Sequence, residues 1–334
     1  MNKSELEDAA LAMVERRGRA VMDKVKQKIL GTVYDNGVID SALQHYVTDN
    51  LPLVFPLFPA LMSISYEVAS GNSGGDDFDS VAVAMMFIAF SADIHDDVID
   101  KSDVKYDKET VYGKFGSEVA VLVGDVLLIE GYSLLYKACE SFSLKQRGAI
   151  FVAVSKALFE LCAVEALEVK LRKEVVVEPE VYFEVMRLKG VFAGLQCRVG
   201  GILGHADDEL LEVLTGFGRV VGMFGAIGDE FNDLFDVSEL VHRVKFEYPP
   251  LPMIYAFQDE VLRNTVSVFV EQLEGSKGVV KKVAKLVLNS EGVYELRCKI
   301  REYFDREVKN VVLYKKNGAG LDAFLLLQVL SFVM

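Results

Sequence analysis

Apolar residues recur with the period of an α-helix through most of the chain. Prolines, which interrupt helices, are sparse, since only Pro179 occurs between Ala60 and Tyr248. The run "VAVAMMFIAFSADIHDDVID" (81–100) is apolar on nearly every side until its last two turns, which is typical of a central buried helix. No run alternates with the period of a strand, and no linker or short repeat divides the chain. The pattern predicts one large all-α domain over residues 1–334.

The last two turns of this predicted helix carry an unusual concentration of negative charge. At about 100° of rotation per residue, one arc of roughly 100° holds four carboxylates, those of Asp93, Asp96, Asp97 and Asp100. Like charges three or four residues apart repel by a few tenths of a kcal/mol per pair. Such an arrangement becomes favourable when a cation binds between the carboxylates and offsets their repulsion.

A second segment, "GDEFNDLFD" (228–236), has the same spacing. The residues at the same four offsets are Asp229, Asn232, Asp233 and Asp236, with Glu230 at the edge of their arc. Each cluster by itself is also compatible with a solvated polar helix end, but the duplicated spacing favours a shared function. Mg²⁺ uses one or two carboxylates together with waters and substrate phosphate oxygens. The sequence therefore predicts two acidic faces that bind a diphosphate through Mg²⁺.

Composition and charge limit the classes of partner. The chain has 334 residues, 51% of them hydrophobic, and its 36 basic and 50 acidic residues give a net charge of −14. Such a charge disfavours nucleic acid and anionic membranes as general partners. The four cysteines are scattered without metal or disulfide spacing, which favours reduced thiols and a cytoplasmic location.

Neither a signal peptide nor a membrane span is predicted. The N-terminal segment, "MNKSELEDAALAMVERRGRA", lacks an uninterrupted apolar run and indicates an ordinary amphipathic helix. Of two apolar stretches that could suggest a membrane segment, "LPLVFPLFPALMSI" contains three prolines. The other, "FLLLQVLSFVM", is shorter than the roughly 20 residues that a span requires. Both are expected to be buried.

The segments "HDDVID" (95–100) and "GDEFND" (228–233) resemble the two aspartate-rich motifs of the trans-isoprenyl diphosphate synthases. These are all-helical enzymes that build geranyl, farnesyl, geranylgeranyl and longer diphosphates, and the resemblance covers residues 51–256. It implies a helical bundle of the isoprenoid synthase type around a central cavity, a homodimer, and an allylic diphosphate and isopentenyl diphosphate as substrates.

The resemblance also implies residue roles. It assigns Mg²⁺ binding to Asp96, Asp97 and Asp100 in the first motif and to Asp229, Glu230 and Asp233 in the second, where glutamate replaces the usual aspartate. It assigns diphosphate binding to Lys105, Lys189 in "RLKGVFAGL" and Lys245 in "KFEYPPLPMIYA". Catalysis then depends on the five aspartates of this set and on Lys189. His95 is expected to point away from the acidic face and to be packed or hydrogen-bonded.

One departure from the pattern concerns the second substrate. Elongating synthases carry Gly-Lys-x-x-Arg-Pro for isopentenyl diphosphate, whereas this chain reads Val-Phe-Pro-Leu-Phe-Pro at 54–59. The family's upstream histidine corresponds to Ala89, and its second arginine after the first motif to Tyr106. An apolar loop offers a diphosphate no charge-assisted contact.

Three hypotheses follow from this departure. The chain elongates a prenyl diphosphate and recruits other bases, with Lys108, Lys114 or Arg198 as candidates. Alternatively, it ionises an allylic diphosphate without isopentenyl diphosphate, as a cyclase does, and Asn232-Asp233-x-x-Asp236 partly resembles a cyclase metal motif. As a third possibility, it is a non-catalytic partner subunit, although such a subunit does not need clustered carboxylates. We expect elongation.

The residues before the first motif predict the product length. In the family, large residues just before this motif shorten the product, and here these positions are the small Ser91 and Ala92. Phe87, one turn deeper, is the candidate floor of the tail cavity, with a place in the core on the far side of the helix as the alternative. The sequence therefore predicts a substrate or product of geranylgeranyl size or longer.

Overall fold

The computed structural model describes residues 3–172, 177–270, 277–311 and 318–330, which are helical apart from one short hairpin. The predicted all-α fold class is confirmed. In chain order the helices are α1 (Lys3–Leu30), α2 (Gly37–His45), α3 (Leu57–Ser70), α4 (Asp76–Asp100), α5 (Val111–Phe115), α6 (Ser117–Ala138), α7 (Leu144–Leu171), α8 (Pro179–Lys189), α9 (Val191–Leu203), α10 (Asp208–Asn232), α11 (Val237–Phe246), α12 (Leu251–Ala256), α13 (Glu260–Val270), α14 (Lys277–Leu288), α15 (Glu291–Val311) and α16 (Gly318–Leu330). A π-helical turn (Tyr46–Asn50) and a 3-10 turn (Leu51–Leu53) follow α2, and strands β1 (Val104–Lys105) and β2 (Lys108–Glu109) form the hairpin.

The chain divides into two compact units. Unit one comprises residues 1–155, 195–215 and 315–323, and unit two comprises residues 156–194, 216–314 and 324–334. The first acidic cluster belongs to unit one and the second to unit two. A single domain over residues 1–334 stays a prediction.

Helix α4 is the buried helix of unit one, as its apolar periodicity predicts. Helix α6 packs against it at two glycines. A Cβ atom on Gly131 would lie 2.8 Å from Cγ1 of Ile88, and one on Gly124 would lie 2.3 Å from Nε2 of His95. Both distances are too short for a real side chain, so these glycines allow the two helices to approach closely.

The segment after α4 contains the hairpin and α5. The C-cap of α4 is Lys101, whose φ of 57° is left-handed. The two residues between the strands, Tyr106 and Asp107, have φ values of 52° and 61°. Positive φ at both positions is characteristic of the type I′ turn, which matches the twist of a hairpin. The register pairs Lys105 with Lys108.

Unit two has its own apolar core, to which α11 to α15 contribute. Its fully buried residues include Leu240, Met253, Val266, Val283 and Val293. Asp229 and Glu230 lie in the last turn of α10, and Asp233 directly follows this helix, which precedes the core along the chain.

The predicted arc of four polar side chains in the second cluster is wrong for Asp236. Helix α10 ends at Asn232, and Asp236 is the N-cap of α11, where its Oδ1 accepts hydrogen bonds from the backbone N–H groups of Ser238 and Glu239. Aspartate is a preferred N-cap because its carboxylate satisfies N–H groups at the start of a helix. Asp236 therefore starts the next helix and does not extend the acidic face of α10.

Within the described ranges, three helices are long and apolar enough to cross a membrane by length and composition, namely α4, α6 and α10. The pair 37–53 and 57–70, bent by 67°, also meets the criterion when taken as one span. The apolar window of α4 is 72% buried within the protein, whereas that of α6 is 33% buried. The absence of a membrane span stays a prediction.

Candidate active site

The first acidic cluster lies at the C-terminal end of α4. The helix continues through Asp100, so Asp93, Asp96, Asp97 and Asp100 share one helical face as their spacing predicts. Asp96 and Asp100 are one helical turn apart, and two carboxylates at this spacing can contact one cation.

Asp97 is the buried member of this cluster, with only 4% of its surface exposed. Nζ of Lys105 lies 2.6 Å from Oδ1 of Asp97 and 3.1 Å from Oδ1 of Asp93. Burial raises the pKa of Asp97 to about 7, although Lys105 opposes this shift. Burial alone would lower the pKa of Lys105, but the two carboxylates raise it well above its usual value. Lys105 therefore acts as a counter-ion within the acidic cluster.

His95 points away from this cluster towards α6. Its Nε2 lies 3.3 Å from the carbonyl oxygen of Val121 and 3.4 Å from Oδ1 of Asp125. The ring also packs against Gly124. These contacts agree with the expected packed and hydrogen-bonded role.

In the second cluster, Glu230 is buried, with 5% of its surface exposed. Its Oε1 accepts a hydrogen bond from the Tyr182 hydroxyl at 2.9 Å. Its Oε2 accepts from Nη2 of Arg243 at 3.1 Å and from the backbone N–H of Leu251 at 2.6 Å. Both carboxylate oxygens are thus engaged by protein groups, and the assignment of Glu230 as a metal ligand stays a prediction.

Arg243 also holds Asp233, whose Oδ2 lies 2.5 Å from its Nη1. Burial raises the pKa of Asp233 to about 7 against the opposing effect of Arg243. Asp229 is exposed. Desolvation of its carboxyl group by neighbouring residues, followed by the negative charge of Glu230, nevertheless raises the pKa of Asp229, whereas Lys189 lowers it.

The two motifs share one structural feature. The second acid of each, Asp97 or Glu230, is buried and paired with a base from the segment that follows, Lys105 or Arg243. The longer glutamate also reaches the backbone N–H of Leu251. This bond gives a physical reason for glutamate where aspartate is usual.

Arg243 and Tyr182 were not predicted as functional residues. A lone arginine on α11 carries no periodic or motif signal, and its burial becomes visible only when α8, α10 and α11 are folded together. The sequence does contain a weak signal for a basic partner of each motif, because a base follows each acidic motif within about two to four helical turns.

Lys189 forms an ion pair within unit two. Its Nζ lies 2.8 Å from Oε1 of Glu168, a buried residue on α7 that also accepts a hydrogen bond from the Tyr248 hydroxyl. Oε2 of Glu168 has no hydrogen-bond partner among the described residues. Lys245 lies on α11, but its side chain is outside the part of the chain that the structure describes.

The three residues assigned to the hydrocarbon tail all lie on α4. Ser91 and Phe87 are buried and Ala92 is half-buried. Phe87 lies nine residues before Asp96, which places it about 180° around the helix. A Cβ atom on Gly131 of α6 would lie 3.1 Å from Cβ of Phe87. These contacts favour a core position for Phe87, and its role as the floor of the tail cavity stays a prediction.

The donor set of unit one is compatible with a divalent metal. Among the residues that the structure describes, no three or more histidine, cysteine, aspartate or glutamate side chains are grouped closely enough to form a metal site on their own. Asp96 and Asp100, one turn apart, nevertheless supply the one or two carboxylates that Mg²⁺ typically takes from protein when substrate oxygens complete its coordination. The residues therefore fit a metal that binds together with a diphosphate.

The sequence is similar to those of known prenyl diphosphate synthases. Over 190 residues the chain is 28% identical to a geranylgeranyl diphosphate synthase of Methanosarcina mazei, which covers 57% of each chain. Over 269 residues it is 24% identical to heptaprenyl diphosphate synthase component 2 of Bacillus subtilis, which covers 74% of this chain and 75% of the relative. The chain thus spans little more than half the length of the first of these relatives.

Solved structures show the same fold at lower identity. A geranylgeranyl pyrophosphate synthetase from Pyrococcus horikoshii superimposes with a TM-score of 0.79 at 22% identity, covering 97% of this chain and 98% of the other. The synthetase from Geoglobus acetivorans gives the same TM-score at 20% identity, with coverages of 96% and 99%.

A family model describes most of the chain directly. The polyprenyl synthetase model matches residues 57–287, a range that includes both acidic motifs, Lys189 and the hairpin after α4. Members of this family depend in general on divalent metal ions. The chain belongs to the polyprenyl synthetase family.

Proposed function

We propose that this protein is a prenyltransferase that condenses isopentenyl diphosphate with an allylic isoprenoid diphosphate and depends on Mg²⁺. The observation that carries the proposal is the arrangement of α4, which presents Asp96 and Asp100 one turn apart beside a buried Asp97–Lys105 ion pair. The names of the relatives support the same reaction class. The four cysteines are free thiols, and we place the protein in the cytoplasm.

In this reaction the bond between C1 of the allylic substrate and its diphosphate oxygen breaks. C1 then bonds to the terminal carbon of isopentenyl diphosphate, and the proton that is lost goes to the released diphosphate. Mg²⁺, when bound, supplies positive charge that stabilises the leaving group. Within unit one, Asp96 and Asp100 would hold it and Lys105 would stabilise the diphosphate. Within unit two, Asp229 and Lys189 are the candidates for the same two roles. Apolar side chains exclude water from the allylic cation.

The test is to incubate the pure protein with Mg²⁺ and geranyl, farnesyl or geranylgeranyl diphosphate, each with and without isopentenyl diphosphate, followed by product analysis. Products longer than the allylic substrate are expected only when isopentenyl diphosphate is present. Recovery of every substrate unchanged would contradict the proposal.

A second candidate function is ionisation of the allylic diphosphate without isopentenyl diphosphate, to give a cyclic or hydrolysed product. The apolar segment 54–59 favours it, because Phe55 is exposed where a cationic side chain is expected. The same incubation distinguishes the two functions, since this one consumes the allylic substrate equally well in both arms.

The length of the product tests the placement of the tail along α4. We propose products of geranylgeranyl size or longer, because Ala92 is a small side chain one turn before Asp96 and on the same side of the helix. Ala92→Phe is expected to shorten the longest product by at least one isoprene unit, and Phe87→Ala to lengthen it. Chromatography of the dephosphorylated products gives the measurement, and wild-type products that end at farnesyl size would contradict the placement.

We also propose that the protein is a homodimer that packs through α6. Leu122, Ile129 and Tyr136 are exposed and follow one another at intervals of seven residues, so they form one apolar stripe. A stripe of this kind on an otherwise acidic protein favours association with a second copy of the chain.

Ile129, with 70% of its surface exposed, gives the sharpest test of the dimer. Ile129→Arg is expected to convert the dimer to a monomer in size-exclusion chromatography with light scattering, because it buries an unpaired charge in the interface. Val261→Arg, at an exposed position on α13, is the matched control and should not change the mass. A wild-type monomer, or a dimeric Ile129→Arg variant, would contradict this interface.

A further inference from the structure

A transferase that joins two diphosphate substrates needs a second anion site close to its first acidic cluster, and this inference rests on the proposed function. A diphosphate is desolvated on binding and needs charge-assisted hydrogen bonds to offset that cost. The segment 54–59 contains no base. The bases for the second diphosphate therefore have to come from another part of unit one.

Lys114, an exposed residue on α5, is held by a buried histidine. Its Nζ lies 3.1 Å from Nδ1 of His45, whose surface is 6% exposed. Nε2 of the same ring lies 2.9 Å from the carbonyl oxygen of Glu109. Because a carbonyl oxygen only accepts, Nε2 donates to Glu109, and Nδ1 lies between Nζ of Lys114 at 3.1 Å and Oδ2 of Asp49 at 3.0 Å. The contact with His45 engages at most one of the three N–H donors of Lys114 and leaves the others for an anion.

Lys108 brings a second positive charge to the same place. Its Nζ lies 3.8 Å from Oδ1 of Asp49, and Oδ2 of Asp49 lies 3.0 Å from Nδ1 of His45. The Thr48 hydroxyl, which donates to Asp49, is the largest cause that lowers the pKa of this carboxyl group. Lys108 and Lys114 are thus linked through Asp49 and His45, and two lysines with one carboxylate give the cluster a net positive charge.

The hairpin connects this cluster to the first acidic cluster. Lys105 and Lys108 are direct partners across β1 and β2, and side chains opposite each other in an antiparallel pair lie on the same face, about 5 Å apart at Cβ. Lys105 contacts Asp93 and Asp97. The carbonyl oxygen of Glu109 accepts hydrogen bonds from His45 and from Nδ2 of Asn50, which fixes β2 against the turn after α2.

We propose that Lys114 and Lys108, with His45 as a positioning residue for Lys114, bind the diphosphate of isopentenyl diphosphate. They replace a basic loop that this chain lacks. Arg198, the other base available from the sequence, is engaged elsewhere, since its Nη1 donates to Glu212 at 2.8 Å and to Thr215 at 3.3 Å.

The experiment measures KM separately for isopentenyl diphosphate and for the allylic substrate, together with calorimetric titration of isopentenyl diphosphate. Lys114→Gln and Lys108→Gln are each expected to raise the KM for isopentenyl diphosphate by about 10-fold or more, because each removes a charge-assisted contact. The KM for the allylic substrate should stay within about two-fold. Lys114→Arg should restore affinity, and His45→Gln should raise the same KM by a smaller factor.

Lys145→Gln, which removes an exposed lysine from the first turn of α7, is the control and should change neither constant. If the wild type elongates but Lys114→Gln and Lys108→Gln leave both constants unchanged, this site is overturned and the proposed function stands. Equal increases in both constants also overturn it. A wild type that consumes allylic diphosphate but neither binds nor uses isopentenyl diphosphate overturns the site together with the elongation reaction.

Discussion

Asp96→Ala is expected to lower turnover by at least about 100-fold, because it removes one of the carboxylates that hold the metal ion and the diphosphate. The folded protein should be unchanged in stability or slightly more stable. Asp93 and Asp100 lie three and four residues away on the same helix, and loss of the charge at position 96 relieves their repulsion. A loss of activity without a loss of stability separates a ligand from a structural residue.

Three measurements test this expectation. Steady-state turnover gives the activity, calorimetric titration with Mn²⁺ in the presence of inorganic diphosphate gives the metal affinity, and thermal unfolding gives the stability. Asp77→Ala is the matched control, because it removes an exposed carboxylate from the first turn of the same helix. Wild-type turnover in Asp96→Ala, or equal losses in the two variants, would contradict the metal assignment.

The same substitution at Asp233 has a different expected effect on stability. Asp233 lies 2.5 Å from Nη1 of Arg243, so its removal also breaks an ion pair. An argument from the sequence alone predicts relief of repulsion at both motifs. The ion pair with Arg243 therefore contradicts that prediction at Asp233.

Local periodicity made much of unit one predictable. The apolar run before Asp93 specified a buried helix, and the spacing of the four aspartates specified their common face because the helix continues through all of them. The direction of His95, away from the acidic face, followed from the same helical geometry, whereas its contact with α6 is visible only in the structure. Each of these results depends on interactions between residues close together in the chain.

The predictions that failed depended on interactions that the periodicity of the sequence does not reveal. Asp236 follows the spacing of the first motif, but α10 ends before it and its carboxylate caps α11. The hairpin escaped prediction because strands of two residues show no alternation. The pairing of Glu230 with Arg243, like that of Lys114 with His45, depends on tertiary contacts between different elements.

The buried Glu230–Arg243 pair gives the second large expected effect. Glu230→Ala leaves Arg243 without one of its partners and also removes the acceptor for the Tyr182 hydroxyl and for the backbone N–H of Leu251. Removing one member of a buried ion pair typically costs about 3–5 kcal/mol, because the remaining charge stays buried without compensation. We therefore expect a large fall in the free energy of unfolding.

Glu184→Ala is the matched control for this substitution. Glu184 forms an ion pair with Arg187 at 2.5 Å, three residues apart on the exposed face of α8, so the residue types are the same but this pair is exposed. Exposed pairs contribute about 0–1 kcal/mol.

The measurement is urea denaturation of the wild type, Glu184→Ala, Glu230→Ala, Arg243→Met and the Glu230→Ala/Arg243→Met double variant. The loss in free energy of unfolding for Glu230→Ala should be at least three times that for Glu184→Ala. The double variant should lose less than the sum of its two single variants, because the second substitution removes the charge that the first left unpaired. Equal small losses for Glu230→Ala and Glu184→Ala, or strictly additive losses in the cycle, would show that Arg243 does not hold the second acidic motif in place.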